Sequence, residues 1–372
     1  MAEFMHGLDL CGLFYTEVIK PILDTSYPGL RYCAALIGYG SEVLGYDNEE
    51  STDHYWAPRV NLFLDDDNHA RLAGAIHETL RNQLPYTFRG YVMNMVQPPG
   101  GDSKMPTEID HGPVNHLVTT ETLGERMLYL LGIEADQPLT VVNWLTFPQQ
   151  RLLEVTAGRV YHDGLGSLTT LREKLAYYPH DVWLYKMAGV WRRIAQEEAF
   201  VGRAGSVGDE LGSQITASRL VRDLMNLCFL IEKRYAPYPK WFGTAFAGLQ
   251  CAPRMLPVLE SVFHAMDWHE REERLAAGYE IVATLHNGLG ITQPLPTKAS
   301  PYFGRPYRVI HGNAFGDALH EQITDEAVKC LPPHLGGIDE IVFSTDVLSY
   351  SERFPRLRVL YENGADGKFT RP

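Results

Sequence analysis

An apolar run that ends in glycine and serine, Ile37-Gly38-Tyr39-Gly40-Ser41, is a place where a chain can meet an anion. A strand that turns there into a short helix exposes backbone N–H groups and a hydroxyl at one point. Gly40 lets a ligand approach the backbone, and Ser41 can donate to a phosphate oxygen. Further on, Asp53 reads as the start of the neighbouring strand, and a carboxylate beside that turn can hold Mg²⁺ bridging phosphates. Asp47 and Glu42 are further acids in the same stretch. Arg59, after Trp56-Ala57-Pro58, either flanks this pocket or pairs with one of Asp65 to Asp67. The same spacing also suits a plain glycine-rich turn between strands, capped by Ser51 or Asp53.

The hydrophobic-Gly-Ser pattern followed by an aspartate resembles the signature of the nucleotidyltransferase superfamily. The words Gly-Ser-Glu-Val-Leu-Gly-Tyr-Asp (residues 40–47), Ser-Thr-Asp-His (51–54) and Trp-Ala-Pro-Arg-Val (56–60) are similar to a mostly bacterial, nucleotidyltransferase-like family of unknown function. So are Tyr161-His162-Asp163, the run Arg193 to Arg203, Tyr235 to Trp241 and Ser344 to Leu348, so the resemblance covers nearly the whole chain. It implies a phosphate-binding turn at Gly40 and Ser41 and a first metal-binding acid at Asp53. The second acid of the pattern falls on Tyr55, and a phenol is no substitute for a carboxylate as a hard-cation ligand at neutral pH. Asp47, Glu42 or Glu121 then supplies the missing charge, or His54 contributes a ligand, or the chain binds a nucleotide without transferring it.

The resemblance also implies that an acid in the helical region, Glu197 or Glu198, serves as general base toward an acceptor hydroxyl. Taken alone, each of the two better suits a solvated helix face paired with Arg193 or Arg203. Lys240, after Pro239 at a helix start, can reach a triphosphate or lie on the surface. His111, His116 and His162 lack metal-ligand spacing. Asp163 and Ser344 read as helix caps. No Gly-x-Ser-x-Gly elbow, Walker-type loop or Gly-x-Gly-x-x-Gly turn is present.

The elements that must position these groups follow from periodicity. Leu8, Leu10, Leu13, Phe14, Val18, Ile19, Ile22 and Leu23 mark one face of a helix over residues 7–24. Strands are expected at 31–39, 56–64, 88–96 and near 115–120, with helices over 68–82 and 121–131. Asp65-Asp66-Asp67 suits the start of the first of those helices. Residues 97–113, rich in proline and glycine, read as a long loop of the kind that covers binding sites. From Leu171 to Leu289 helical stripes dominate, such as Trp183, Met187, Val190, Trp191 and Ile194, or Leu220, Leu224, Leu227, Cys228 and Ile231. Ile341-Val342-Phe343 reads as strand-like. The expected architecture is α/β plus all-α: a nucleotidyltransferase-like mixed sheet with helices over 1–165, a helical domain over 166–308 and a small C-terminal extension over 309–372.

Composition narrows the partners. The 372 residues carry 33 Lys+Arg against 46 Asp+Glu, a net charge of −13. Such a chain lacks the basic field that drives binding to a phosphate backbone, so nucleic acid is not the expected partner. A small phosphorylated ligand needs only a few placed groups and a metal. Five scattered cysteines without a Cys-x-x-Cys argue for reduced, buried thiols. No signal-like start and no membrane-length apolar run is visible, so a cytoplasmic location is expected. The sequence leaves three functional classes open. They are Mg²⁺-dependent transfer of a nucleotidyl group from an NTP to a small-molecule hydroxyl, a nucleotide-binding module with an impaired site, and a scaffold or partner protein. The oligomeric state is left open.

Overall fold

The computed structural model describes residues 4–362, apart from His54, Asp102, Ala135, Asp136, His334 and the side chain of Asp53. The chain forms two compact units, Met1–Gln137 with Arg151–Ala176, and Pro138–Gln150 with Tyr177–Pro372. Among the described residues no helix is long and apolar enough to cross a membrane.

The first unit opens with α1 (Gly7–Phe14), which passes through a π-helical turn, Tyr15–Ile19, into α2 (Lys20–Ser26). The expected single helix is therefore present with a widened, underwound middle. It buries Leu10, Phe14, Ile19 and Leu23. Strand β1 (Cys33–Leu36) leads into the turn at Gly40 and the four-residue helix α3 (Ser41–Leu44), which ends on left-handed Gly45. Strand β2 (Asn61–Leu64) is followed by α4 (Asp66–Gln83), whose N-terminus is capped when the Asp65 carboxylate accepts from the Asn68 amide at 2.9 Å.

The expected strand over 88–96 is instead broken. Thr87–Phe88 (β3) and Tyr91–Val92 (β4) form a hairpin, because Arg89 and Gly90 both take positive φ at its two-residue turn. Met95–Val96 (β5) pairs separately with Met105–Pro106 (β6) inside the long loop. Strand β7 (Thr119–Thr122) runs directly into α5 (Leu123–Leu131), where Thr122 and Glu125 form a capping box.

In the second unit α6 (Val141–Thr146) comes first, and α7 (Gln149–Thr156) starts there and ends in the first unit. Strand β8 (Arg159–Asp163) and α8 (Ser167–Lys174) complete the first unit. Asp163 does cap α8: its carboxylate takes the amides of Gly166 and Thr169, each at 2.8 Å.

The four main strands form one small mixed sheet in the order β7-β2-β1-β8, with β2 parallel to β7 and β1 antiparallel to both its neighbours. Side chains alternate across it. Ala34, Leu62 and Leu64 pack with Leu10, Phe14, Ile76 and Leu80 on one face. Cys33, Ala35, Ile37 and Phe63 pack with Leu168 on the other. Both faces are covered, which is why β1 and β2 are buried at every position.

The rest of the second unit is helical: α9 (His180–Glu197), α10 (Phe200–Gly205), α11 (Glu210–Ile231), α12 (Pro239–Ala247), α13 (Ala252–Phe263) and α14 (Trp268–Gly288). A small hairpin, β9 (Ser300–Tyr302) with β10 (Arg305–Val309), precedes α15 (Gly312–Glu321). The expected stripes on α9 and α11 are buried. The segment expected to be strand-like at 341–343 follows a 3₁₀ turn, Ile338–Glu340, and forms no strand. Its place is set by charge instead. The Lys186 ammonium, wholly buried on α9, lies 3.2 Å from Glu340 and 3.8 Å from Asp339. Ser344 caps the short helix Thr345–Ser349 as the sequence suggests, accepting from the Val347 amide at 3.4 Å.

Candidate functional site

At the end of the sheet where β1 leaves and β2 and β7 begin, the first unit holds a cavity of about 400 Å³. Ile37 and Tyr39 reach it from beyond β1, and Arg59 and Asn61 from the start of β2. Thr119 and Glu121 on β7, Arg126 and Tyr129 on α5, and Tyr55 and Lys104 from the loops close its other sides.

One continuous hydrogen-bond chain lies along its wall. Asn61, buried in the sheet, accepts the Ile37 amide at 3.0 Å and donates to the Thr119 hydroxyl at 3.1 Å. That hydroxyl donates to Glu121 at 2.8 Å, and the second partner of Glu121 is the nearly buried Arg126 guanidinium. Arg59 makes a separate pair. Its Nη2 donates to Glu42 Oε1 at 2.6 Å and to the Tyr39 carbonyl at 2.5 Å. Burial opposes the charge of Arg59, but Glu42, Tyr39 and Cys11 outweigh it, so its pKa lies above the ordinary arginine value.

Lys104 is half-buried, and among the described residues its ammonium makes no ion pair. His116 carries no charge here. Burial pushes its pKa down to about 4, its Nδ1 accepts the Val118 amide at 3.1 Å, and its Nε2 lies 3.4 Å from the His77 carbonyl. Among the described residues the lining thus presents three cations, Arg59, Lys104 and Arg126, against one carboxylate, Glu121. Tyrosines flank them: Tyr39 and Tyr55 meet edge to face at 5.2 Å, and Arg126 lies 5.9 Å from the Tyr129 ring. Tyr55 holds a left-handed φ of 55°, with its amide donating to the Lys104 carbonyl at 3.0 Å.

The residues singled out in the sequence fall in several places. Gly40 and Ser41 form the expected turn but do not line the cavity. Gly40 takes φ 125°, and a Cβ there would lie 2.4 Å from Glu42 Oε2 and 2.6 Å from Arg59 Nη2. Its glycine therefore makes room for an ion pair. Arg59 does flank the cavity and does not pair with Asp65 to Asp67. Asp47 is turned away: its buried carboxylate accepts the Gly7 amide at 2.6 Å and the Trp56 indole at 3.2 Å, with His6 Nδ1 also at 3.2 Å. It caps α1.

The backbone of Asp53 closes a 3₁₀ turn, Glu49–Asp53, well before β2 begins at Asn61, so Asp53 does not stand at a strand start. Its side chain and all of His54 lie outside the described residues. Of the three acids expected to replace the one missing at Tyr55, Asp47 and Glu42 are occupied by other partners and only Glu121 faces the cavity. Among the described residues no three His, Cys, Asp or Glu side chains gather as a metal cluster.

Glu197, Glu198 and Lys240 belong to the second unit. Glu197 pairs with Arg219 at 2.5 Å. Glu198 is buried and holds the start of α15, accepting the amides of Ile310 at 2.8 Å and Gly312 at 3.3 Å. Lys240 is exposed, with its ammonium 5.0 Å from the Trp241 ring. Several cavity residues carry no signal in the sequence reading, Lys104, Thr119, Arg126 and Tyr129 among them. Arg126 could have been found as the one cation on the buried side of α5, beside Met127, Leu130 and Leu131.

Comparison with known proteins adds little detail to this geometry. A family model described as a domain of unknown function, DUF4037, matches residues 144–242. A nucleotidyltransferase-like protein from Exiguobacterium sibiricum 255-15, whose crystal structure is solved, is similar at 11% identity over 75% of this chain and 77% of its own, with a TM-score of 0.32. At that score the likeness bears on neither fold nor site. No curated protein matches. The family match begins in α6 and ends in α12, so it covers none of the cavity lining of the first unit.

Two outcomes follow. Replacing Gly40 by alanine combines a left-handed backbone with a displaced Arg59–Glu42 pair, and should lower stability by about 1–3 kcal/mol in urea unfolding. A midpoint equal to the native one would mean that the turn has room to relax.

The second concerns Glu198, whose carboxyl burial pushes up to about 7, against the hydrogen bonds from Ile310 and Gly312 that lower it. Its folded pKa lies above the unfolded value of ~4.3. From that value up to about 7 the unfolded state loses this proton first, so the group's contribution disfavours folding as pH rises through that window. Glu198→Gln should therefore gain stability relative to the native chain between pH 5 and pH 8 (conditions of the assay), by about 1–3 kcal/mol. Thermal melts of both proteins across that range should show the gap widening with pH, and a constant gap would refute it.

Proposed function

We propose that the first unit binds a nucleoside triphosphate in the cavity at the end of its sheet. The observation that carries this reading is the meeting of three cations and three tyrosines around one cavity of about 400 Å³, a volume suited to a nucleotide-sized ligand. Lys104 and Arg126 would face the phosphates, and Tyr39, Tyr55 or Tyr129 offers a ring for the base. Arg59 is already paired with Glu42 and contributes mainly by holding the Tyr39 backbone. Among the described residues the lining carries one acid, so Mg²⁺ fits here as an ion that arrives on the triphosphate, with Glu121 and the Thr119 hydroxyl as the nearby oxygen donors.

A second reading, transfer of a nucleotidyl group to a small-molecule hydroxyl, is favoured by Glu121. Among the described residues it is the one lining carboxylate, it stands on the strand parallel to β2, and it could hold Mg²⁺ once a phosphate competes for Arg126. Glu197 or Glu198 as general base is no part of what supports it, since Glu198 is engaged by backbone amides and Glu197 by Arg219.

Calorimetric titration of the full chain with ATP, GTP, CTP and UTP, with and without Mg²⁺, tests the first reading. Binding should be found for at least one triphosphate, and Lys104→Ala should weaken it about tenfold while leaving the melting temperature unchanged. Glu121→Gln should keep binding without Mg²⁺ and lose the gain that Mg²⁺ adds. A chain that binds none of the four triphosphates overturns both readings. Pyrophosphate release in the presence of acceptor alcohols separates them, because binding without release leaves only the first.

A further inference from the structure

The second unit contains a cavity of about 300 Å³ that plays no part in the reading above. Most of its wall is apolar, built by Val221 and Met225 on α11, Pro237 in the following loop, and Phe242 on α12. One side is polar in a regular way. Ser218, Arg222 and Asn226, spaced four residues apart along α11, all face it.

Arg222 is the unusual member. It is half-buried, and among the described residues its guanidinium makes no hydrogen bond and no ion pair. Its central carbon lies 4.1 Å from the centre of the Phe343 ring, which braces the group and leaves its donor edge open. The Asn226 side chain, buried one turn along, also has no hydrogen-bond partner among the described residues. The acids nearby are engaged. Asp223 pairs with Arg193 at 3.2 Å, and Asp339 accepts the Gln149 amide at 3.2 Å and lies 3.8 Å from Lys186.

We infer that this cavity is a binding site for a small monocarboxylate with an apolar body. The carboxylate would take the open fork of Arg222 with two charge-assisted hydrogen bonds, and the Asn226 amide would donate a third. The apolar part would cover Val221, Met225 and Phe242. A phosphate dianion is disfavoured at the same place. The wall is largely apolar, only one cation is open, and the carboxylates of Asp223 and Asp339 stand close enough to repel a second negative charge. An uncharged ligand of the same shape would leave the guanidinium without an anion.

The test uses the full chain with phenylacetate and hexanoate as probes, and phenylacetamide and hexan-1-ol as uncharged partners of the same size. Ligand-detected NMR and calorimetry should show saturable binding of at least one carboxylate, with its uncharged partner about tenfold weaker or worse. Arg222→Gln should weaken the carboxylate about tenfold. Ser218→Trp, at an exposed helix position on the cavity rim, should block it while the helix stays folded. Triphosphate titration of the same variants should be unchanged, which separates this site from the cavity of the first unit and lets either reading fail alone. The proposal is overturned if neither carboxylate binds, if the uncharged partners bind equally well, if inorganic phosphate binds more tightly than the carboxylates, or if both variants bind as the native chain does.

Discussion

A guanidinium withdrawn from water must be paired, and in the first unit that demand sets the geometry at the end of the sheet. Arg59 stands just before β2, and its side chain is nearly closed to solvent. Its two hydrogen-bond acceptors come from opposite sides of one turn, the Tyr39 carbonyl and the Glu42 carboxylate. For both to reach it, the chain between them must double back, and the residue at the bend can carry no Cβ. The Arg59 amide is fixed as well, donating to the Cys11 thiol at 3.3 Å. Burial pushes that thiol up to about 12, so it stays protonated and serves as a weak acceptor and donor inside the core. One cation thus joins α1, the turn after β1 and the start of β2. Removing either partner would leave an unpaired buried charge, which costs far more than the pair contributes when intact.

The cavity inherits its shape from this arrangement. With Tyr39 held by its own carbonyl, its ring is fixed beside Tyr55, and Asn61 is left to satisfy the Ile37 amide where the β1 ladder ends. The bond from Asn61 to Thr119 carries the order across to β7, and Thr119 and Arg126 then orient Glu121. Each link fills the donor or acceptor that the previous one leaves open, which is what a polar wall at the edge of a buried sheet requires. Lys104 alone among the lining cations stands outside these pairs, on the loop between β5 and β6. A ligand phosphate that meets Lys104 disturbs nothing in the wall, whereas one that takes Arg126 must compete with Glu121.

Local features were readable from the residues. Asp65, Asp163 and Ser344 cap the helices that their positions announce, because a cap is an interaction within a few residues. The apolar stripes of α9 and α11 are likewise a local pattern with a helical period. The break in residues 88–96 was missed because the apolar content suits a strand, while Arg89 and Gly90 decide the backbone through positive φ. The run at 341–343 was misread because its place depends on Lys186, far away in sequence. The same division applies to the cavity. The Gly40 turn and Arg59 were legible as chemistry near one point, but Asp47 was mistaken for an open acid, since its partners Gly7, His6 and Trp56 come from separate segments. Lys104 and Arg126 reach the cavity from a loop and a helix that only the folded sheet brings together; Arg126 leaves a trace as the one cation on the buried side of α5, whereas Lys104 leaves none.

Arg59, buried, and Arg222, half-buried, show what a chain of net charge −13 can do with an arginine withdrawn from water. Arg59 has its carboxylate built in, so the energy of the pair is spent on the fold, and a ligand gains little by approaching it. Arg222 has an aromatic ring behind it and no anion in front, although acids are plentiful around it. Asp223 is held by a hydrogen bond from Arg193, and Asp339 by the Gln149 amide with the Lys186 ammonium 3.8 Å away. They therefore cannot turn to neutralise Arg222 without leaving their own partners exposed to an apolar interior. Burial lowers the pKa of Arg222, yet a guanidinium keeps its proton, so the unmet charge remains as a standing cost. An incoming carboxylate relieves that cost directly. The same charge that tightens the fold when paired from within becomes a source of binding affinity when left for a ligand to pair.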